Sequence, residues 1–218
     1  MSSTSPSAPS AFPSATPSKP LQIGITGGIG SGKSLVCRLF ALLRIPIYEA
    51  DDRARWLMNH DPQLTASVRS AFGNEAYTPD GQLNRPWLSA RVFSDPEQVA
   101  QLNALVHPRV ADDYGAWVAE QRSPYVIKEA ALLYEAGSWQ QLDQVVVVYA
   151  GEALRIARIR QRDPHRSAEE IRAIMARQLS EDEKVKRADH VIYNDERQLV
   201  IPQVLALHNQ WWASRQPS

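Results

Sequence analysis

A short apolar alternation that runs through a glycine-rich turn into helical spacing constrains this chain more than any other feature. In Leu21-Gln22-Ile23-Gly24-Ile25-Thr26 the apolar residues alternate as in a strand. Gly27 and then Gly32-Lys33-Ser34 match the phosphate-loop pattern G-x-x-x-x-G-K-[ST]. After Lys33 the residues Leu35, Val36, Leu39, Phe40, Leu42 and Leu43 recur at helical spacing. Strand, turn and helix in that order form the setting in which the pattern carries meaning.

The pattern has a chemical reason. Gly27, Gly28, Gly30 and Gly32 can take positive φ, which lets the backbone curl and aim successive N–H groups inward. Those groups and the positive end of the following helix cradle phosphate anions. The expected nucleotide-binding set is Gly28, Ile29, Gly30, Ser31, Gly32, Lys33, Ser34 and Leu35. Lys33 would reach the β- and γ-phosphates of ATP, and the Ser34 hydroxyl would ligate Mg²⁺.

Bulk properties narrow the classes. Lys plus Arg and Asp plus Glu each number 24, so the formal net charge is zero, which argues against a nucleic-acid partner held by a basic surface. No apolar run approaches the roughly eighteen residues of a membrane span, so no membrane partner is expected. Cys37 is the only cysteine, which rules out an intramolecular disulfide and points to a reducing, cytoplasmic compartment. Among apolar neighbours it reads as a buried, inert thiol.

Residues 1–20 are almost entirely Ser, Pro, Ala and Thr, with Phe12 the only large apolar residue, and are expected to be a disordered tail. A phosphate-loop domain then spans 21–218. Ile45-Pro46-Ile47-Tyr48 reads as a second strand with Glu49-Ala50-Asp51-Asp52 at its end. Asp51 or Asp52 either caps the next helix or faces the transferring phosphoryl group at the carboxyl end of the sheet. From about 61 to 121 the signals are helical, with Asp61-Pro62, Asp95-Pro96 and His107-Pro108 read as helix starts. His107 is most simply a capping or packing residue, and Arg85, Arg91 and Arg109 are solvated by default.

Pro124-Tyr125-Val126-Ile127 is a third strand, followed by Glu129, an acid placed for the outer sphere of Mg²⁺, with Glu135 a weaker candidate. Val145 to Val148 reads as a central parallel strand. A helix from Gly151 to Arg162, the turn Asp163-Pro164-His165-Arg166 and a helix from Ser167 to Leu179 suggest a lid at about 155–180. Arg158 and Arg162 share a face there, either solvated or poised to neutralise the transferring group. Asp189 to Ile192 suggests a last strand, and Trp211 and Trp212 read as packing residues of a closing helix. The expected fold is therefore α/β, a five-stranded parallel sheet with helices on both faces, a helical insert and a small helical lid.

Several separated stretches resemble one family, the dephospho-coenzyme A kinases. Ile25-Thr26-Gly27-Gly28-Ile29-Gly30-Ser31-Gly32-Lys33-Ser34 is similar to its phosphate loop, and Glu49-Ala50-Asp51 to its D-A-D segment. Leu105-Val106-His107-Pro108 matches its L-x-H-P, and Leu132-Leu133-Tyr134-Glu135 resembles its P-L-L-F-E. Arg158 and Arg162-Asp163 fall on its lid arginines. Glu183-Lys184 and Ala188-Asp189-His190-Val191-Ile192-Tyr193-Asn194 resemble its closing E-K…A-D-x-V-I-x-N. The likeness runs in order over roughly 21–210. Leu35, Glu49 and Ala130-Ala131 depart from the usual Thr, Asp and V-P.

The resemblance implies a P-loop kinase that phosphorylates the ribose 3′-hydroxyl of dephospho-coenzyme A, with ATP and Mg²⁺ as its cofactors. It implies catalytic roles for Asp51, Lys33 and Arg158, with Arg162 assisting at ATP, and acceptor contacts by Thr26, Asp51, His107 and Glu129. A different acceptor on the same scaffold, or a nucleotide switch, are the competing readings. The oligomeric state is left open.

Overall fold

The computed structural model describes residues 19–92 and 95–215. The tail expected to be disordered lies outside them but for Lys19 and Pro20, and Pro20 is already buried where the chain enters the sheet. Five strands, β1 (Leu21–Thr26), β2 (Ile47–Glu49), β3 (Tyr125–Glu129), β4 (Gln144–Tyr149) and β5 (His190–Tyr193), form one sheet in the order β2-β3-β1-β4-β5. Every pairing is parallel. β1 is central: the chain leaves it for β2 on one side and later crosses from β3 to β4 on the other, so the carboxyl ends of the strands meet at a crevice beside β1.

Each face of the sheet has its own core. On one side Ile23, Ile25, Tyr125, Ile127, Val146 and Val148 pack beneath α1 (Lys33–Leu42) and a C-terminal helix at Val200–Ala213. Trp211 is the keystone there: its ring lies 5.8 Å from that of Phe40, and its Nε1 donates to Gln144 Oε1 at 2.7 Å. Trp212 departs from the packing expectation, being 38% exposed against His208. Cys37 is buried in this core, and burial, then Glu129 and Glu49, push its thiol far above the ordinary range.

The other face carries α2 (Ala50–His60), α3 (Pro62–Phe72), α4 (Arg85–Val92) and α5 (Pro96–Ala119). His107-Pro108 does not start a helix: both lie inside the 24 residues of α5. An internal proline costs about 3 kcal/mol. Against that, Val106, Val110, Tyr114 and Val118 are buried along one face of α5, each contributing about 1.5–3 kcal/mol. Tertiary burial outweighs the local breaker. After β4 come α6 (Glu152–Arg162), α7 (Ala168–Met175), α8 (Glu181–Arg187), β5 and α9 (Val200–Ala213). The second lid helix thus ends at Met175 rather than Leu179, and the Ser167–Glu170 capping box forms as its spacing implies.

Asp61 ties the helical block together. Its carboxylate accepts from the Gln63 and Leu64 amides at 2.9 and 3.2 Å, capping α3, and from Arg109 Nε at 2.7 Å, joining α5. Burial alone would raise this carboxyl. Arg109 and the two amides outweigh burial and hold it below the ordinary range. A depressed value means that the contribution to stability is present above the unfolded value near pH 4 and is lost as pH falls through the folded one. Asp61→Ala is expected to cost about 1–3 kcal/mol at neutral pH in denaturant unfolding, and the gap to wild type should close below about pH 4. A gap that persists at lower pH would refute the ion-pair assignment.

Candidate active site

The turn between β1 and α1 is shaped by three positive-φ glycines, Gly27 (149°), Gly30 (83°) and Gly32 (98°). A Cβ on Gly27 would stand 2.4 Å from the Val148 carbonyl oxygen, a backbone atom that cannot yield. Gly28 does not share the positive φ expected of it. Its smallness serves a close approach instead, since a Cβ there would meet Arg155 Nη1 at 2.1 Å and Glu181 Oε1 at 2.5 Å.

Gly32 precedes Lys33 without any side-chain cap, so the first N–H groups of α1 have no partner within the helix and point into the turn. Four amides of the expected set are already committed: Ser31 N donates to Gly28 O and Leu35 N to Gly32 O, both at 3.0 Å, while those of Gly28 and Ile29 are taken by side chains described below. Leu35 is 44% exposed. Among the described residues the buried hydroxyls of Thr26 and Ser31 have no hydrogen-bond partner, which suits a site that takes polar ligand atoms. Lys33 Nζ donates to Gly27 O at 2.9 Å. Burial lowers its pKa, with Glu129 and Asp51 opposing. Ser34 is exposed on the first turn of α1, its hydroxyl free for an outside partner.

Asp51 lies in the first turn of α2, yet Glu49 stands at the cap position and makes no side-chain capping bond. The Asp51 carboxylate instead accepts from the amide of Ala131, across the crevice, at 3.3 Å. Of the two open readings, the capping one fails. Asp52 forms an ion pair with Arg55 on the same helix. Glu129 ends β3 and is level with Ile25 on β1 and Glu49 on β2. Burial raises its carboxyl, Lys33 opposes, and Asp51 and Glu49 add to the rise. The fold thus gathers Lys33, Asp51 and Glu129 at adjoining strand ends.

Beside them opens a cleft of about 430 Å³ between α2, α5 and the segment after β3, lined by Asp51, Met58, Val106, His107, Lys128 and Leu132 among others. His107 is neither a cap nor core packing. Desolvation in the cleft wall and then Lys128 hold its imidazole below the ordinary range. The insert arginines stay out: Arg109 binds Asp61, Arg91 lies over the Trp87 ring, and Arg85 is exposed. Glu135 is likewise committed, accepting from Leu179 N at 2.7 Å.

On the opposite side α6 aligns Arg155, Arg158 and Arg162 along one face. Arg158 is neither solvated nor free. Its Nη1 donates to Asn194 O at 3.0 Å, while Asn194 Nδ2 donates to Ser31 O at 2.8 Å, so the guanidinium is fastened one residue away from the loop. Arg162 remains exposed at the end of α6, without a partner among the described residues.

Three contributors were not singled out by sequence reasoning. Arg155 is buried against Gly28 and pairs with Glu181 at 3.7 Å. Its helical spacing to Arg158 and Arg162 was the available signal. Glu181 and Gln178 reach back to the loop, accepting from Gly28 N at 3.3 Å and Ile29 N at 3.0 Å. No local pattern marks either of them. The expected outcome for Gly27→Ala is at least about tenfold weaker ATP binding by calorimetry, with a stability loss of about 1–3 kcal/mol. Unchanged ATP affinity would mean that the curl of this turn does not hold the phosphates.

The chain was compared with known proteins. The family model described as dephospho-CoA kinase matches residues 21–199. The dephospho-CoA kinase of Chlorobaculum tepidum is 39% identical over 183 residues, covering 81% of this chain and 87% of that protein. The dephospho-CoA kinase of Salinibacter ruber is 41% identical over 176 residues, covering 79% and 88%. Among solved structures, TT1252 from Thermus thermophilus superposes with a TM-score of 0.74 at 32% identity, covering 91% of this chain and 99% of its own. The phosphate loop, the all-parallel sheet and an identity spread over most of the length converge on one placement: this chain belongs to the dephospho-CoA kinase family.

Proposed function

We propose that the chain carries out the reaction for which its family is named, transfer of the ATP γ-phosphoryl group to the ribose 3′-hydroxyl of dephospho-coenzyme A, the last step of coenzyme A synthesis. The observation that carries this reading is the position of Asp51, between the phosphate loop and the mouth of the apolar cleft. The loop amides and Lys33 hold the phosphates, and the unpartnered Thr26 hydroxyl is a further donor at the acceptor side. The cleft under the helical insert takes the acceptor, with His107 in its wall.

The residues present suit Mg²⁺. This ion is held by substrate phosphates, water and one or two protein oxygens rather than by a protein cage. Among the described residues no group of three His, Cys, Asp or Glu is placed to hold a metal ion, while Ser34 offers one exposed hydroxyl at the head of α1. Ser34 would ligate the ion, with Glu129 nearby in its outer sphere. When bound, it supplies charge neutralisation between the β- and γ-phosphates.

Asp51 accepts a hydrogen bond from the incoming hydroxyl and aims its oxygen in line with the γ-phosphorus. In a loose transition state the proton leaves late, so orientation matters more than basicity. Arg158, released from Asn194, neutralises charge on the peripheral oxygens, and Arg162 assists at the nucleotide. The single thiol, buried beneath α1, suits a cytoplasmic setting.

Asp51→Asn is expected to lower kcat about 10²–10⁴-fold while ATP affinity stays within a few-fold. Near wild-type turnover would remove Asp51 from the mechanism. Arg158→Ala should lower kcat by about 10²–10³-fold. A change in ATP affinity alone would remove Arg158 from the transfer step. ADP release measured with dephospho-coenzyme A, with nucleoside monophosphates and with no acceptor tests the acceptor directly, and only the first is expected to stimulate it.

A further inference from the structure

Lys128 is a cation that the fold encloses without a counter-ion. It is the fourth residue of β3, in register with Gly24 on β1 and Tyr48 on β2, and points to the face of the sheet that carries α2 and α5. The residue is 3% exposed and lines the acceptor cleft. Among the described residues no carboxylate or carbonyl takes a hydrogen bond or ion pair from it. Its contact is the ring of Tyr114, 4.4 Å from Nζ to the centroid. Burial pulls its pKa down, as expected of a lysine that nothing neutralises.

Buried charges in folded proteins are paired, because an aromatic face offsets only part of the lost hydration. The neighbouring cations show the ordinary arrangement: Arg53 Nε donates to Asp113 at 2.9 Å and Arg109 Nε to Asp61 at 2.7 Å. Lys128 and Asp51 are the charged residues of the cleft lining, and Asp51 already receives the Ala131 amide. The other polar side chains there, Asn103, His107, Ser138 and Gln141, offer no negative charge. A negative group that completes Lys128 must therefore come with the ligand.

On the reading of the acceptor given above, the choice narrows. Adenine, ribose and the pantetheine arm of dephospho-coenzyme A are uncharged, and its negative charge resides in the 5′-diphosphate. We propose that Lys128 is a specificity-determining residue that pairs with the acceptor's diphosphate and so sorts nucleoside diphosphate derivatives from bare nucleosides. Asp51 fixes one end of the acceptor at the hydroxyl that reacts. Lys128 fixes the charged end, and the apolar walls accommodate what is neutral.

The test uses the full chain with the ATP site saturated by the β,γ-imido analogue of ATP. Calorimetry then gives affinities for dephospho-coenzyme A, ADP and adenosine in wild type and Lys128→Met. The variant is expected to bind dephospho-coenzyme A and ADP at least tenfold more weakly, to bind adenosine within twofold of wild type, and to unfold at an equal or higher temperature. Equal losses for adenosine and the phosphorylated ligands, or no loss for any, would overturn the assignment. Wild type alone provides a second check should the variant not fold: ADP must bind at least tenfold more tightly than adenosine, and equal affinities refute the pairing. Normal transfer to dephospho-coenzyme A combined with unaltered affinities in Lys128→Met sinks the lysine and spares the reaction. Absence of transfer by wild type, with the binding pattern intact, does the reverse.

Discussion

The ammonium of Lys33 is the group on which the rest of this architecture leans. Parallel pairing brings Glu49 and Glu129 level at the ends of β2 and β3, and α2 adds Asp51 from one turn further on. Three carboxylates at adjoining strand ends repel one another, most strongly at Glu129, the partly buried one of the three. Lys33 counters that repulsion from the head of α1, with its own hydration largely lost and its Nζ folded onto the Gly27 carbonyl. The arrangement sets a cation and an acid within reach of one another's charge on one concave surface.

The division of the core into two clusters follows from that requirement. One cluster, around Phe40, Tyr125 and Trp211, holds α1 rigidly against β1 and β3, so the loop above it has a fixed floor. The other extends from the sheet into the helical block, where Tyr48 meets Tyr114 edge to face and Tyr114 stacks on Trp117. That second cluster ends in a cleft rather than in a closed core. Loop geometry is thus secured by one face of the sheet, and acceptor shape by the other.

Legibility from the sequence tracked the range of the interactions involved. β1, β4 and the phosphate loop were readable because two-residue alternation, β-branched runs and glycine positions are local signals. The role of Asp51 stayed open because its partner, Ala131, lies 80 residues away. Pro108 misled for the same reason, since the burial that carries α5 through it comes from other elements. Gly28 looked like a curl residue and is instead a place where Arg155 comes close. Glu181 and Gln178 left no local trace at all, because what defines them is contact with amides some 150 residues earlier in the chain.

Those last two contacts change what a triphosphate meets on arrival. Each of the Gly28 and Ile29 amides has one hydrogen to give, and each already gives it to a side chain on the segment after α7. Behind the Glu181 carboxylate stand Arg155 and the fully enclosed ammonium of Lys184. A phosphate oxygen that takes either amide must evict the oxygen already there. For a nucleotide held by these amides, entry and release of the two side chains would be one exchange, and its affinity the difference between two grips on the same pair of hydrogens.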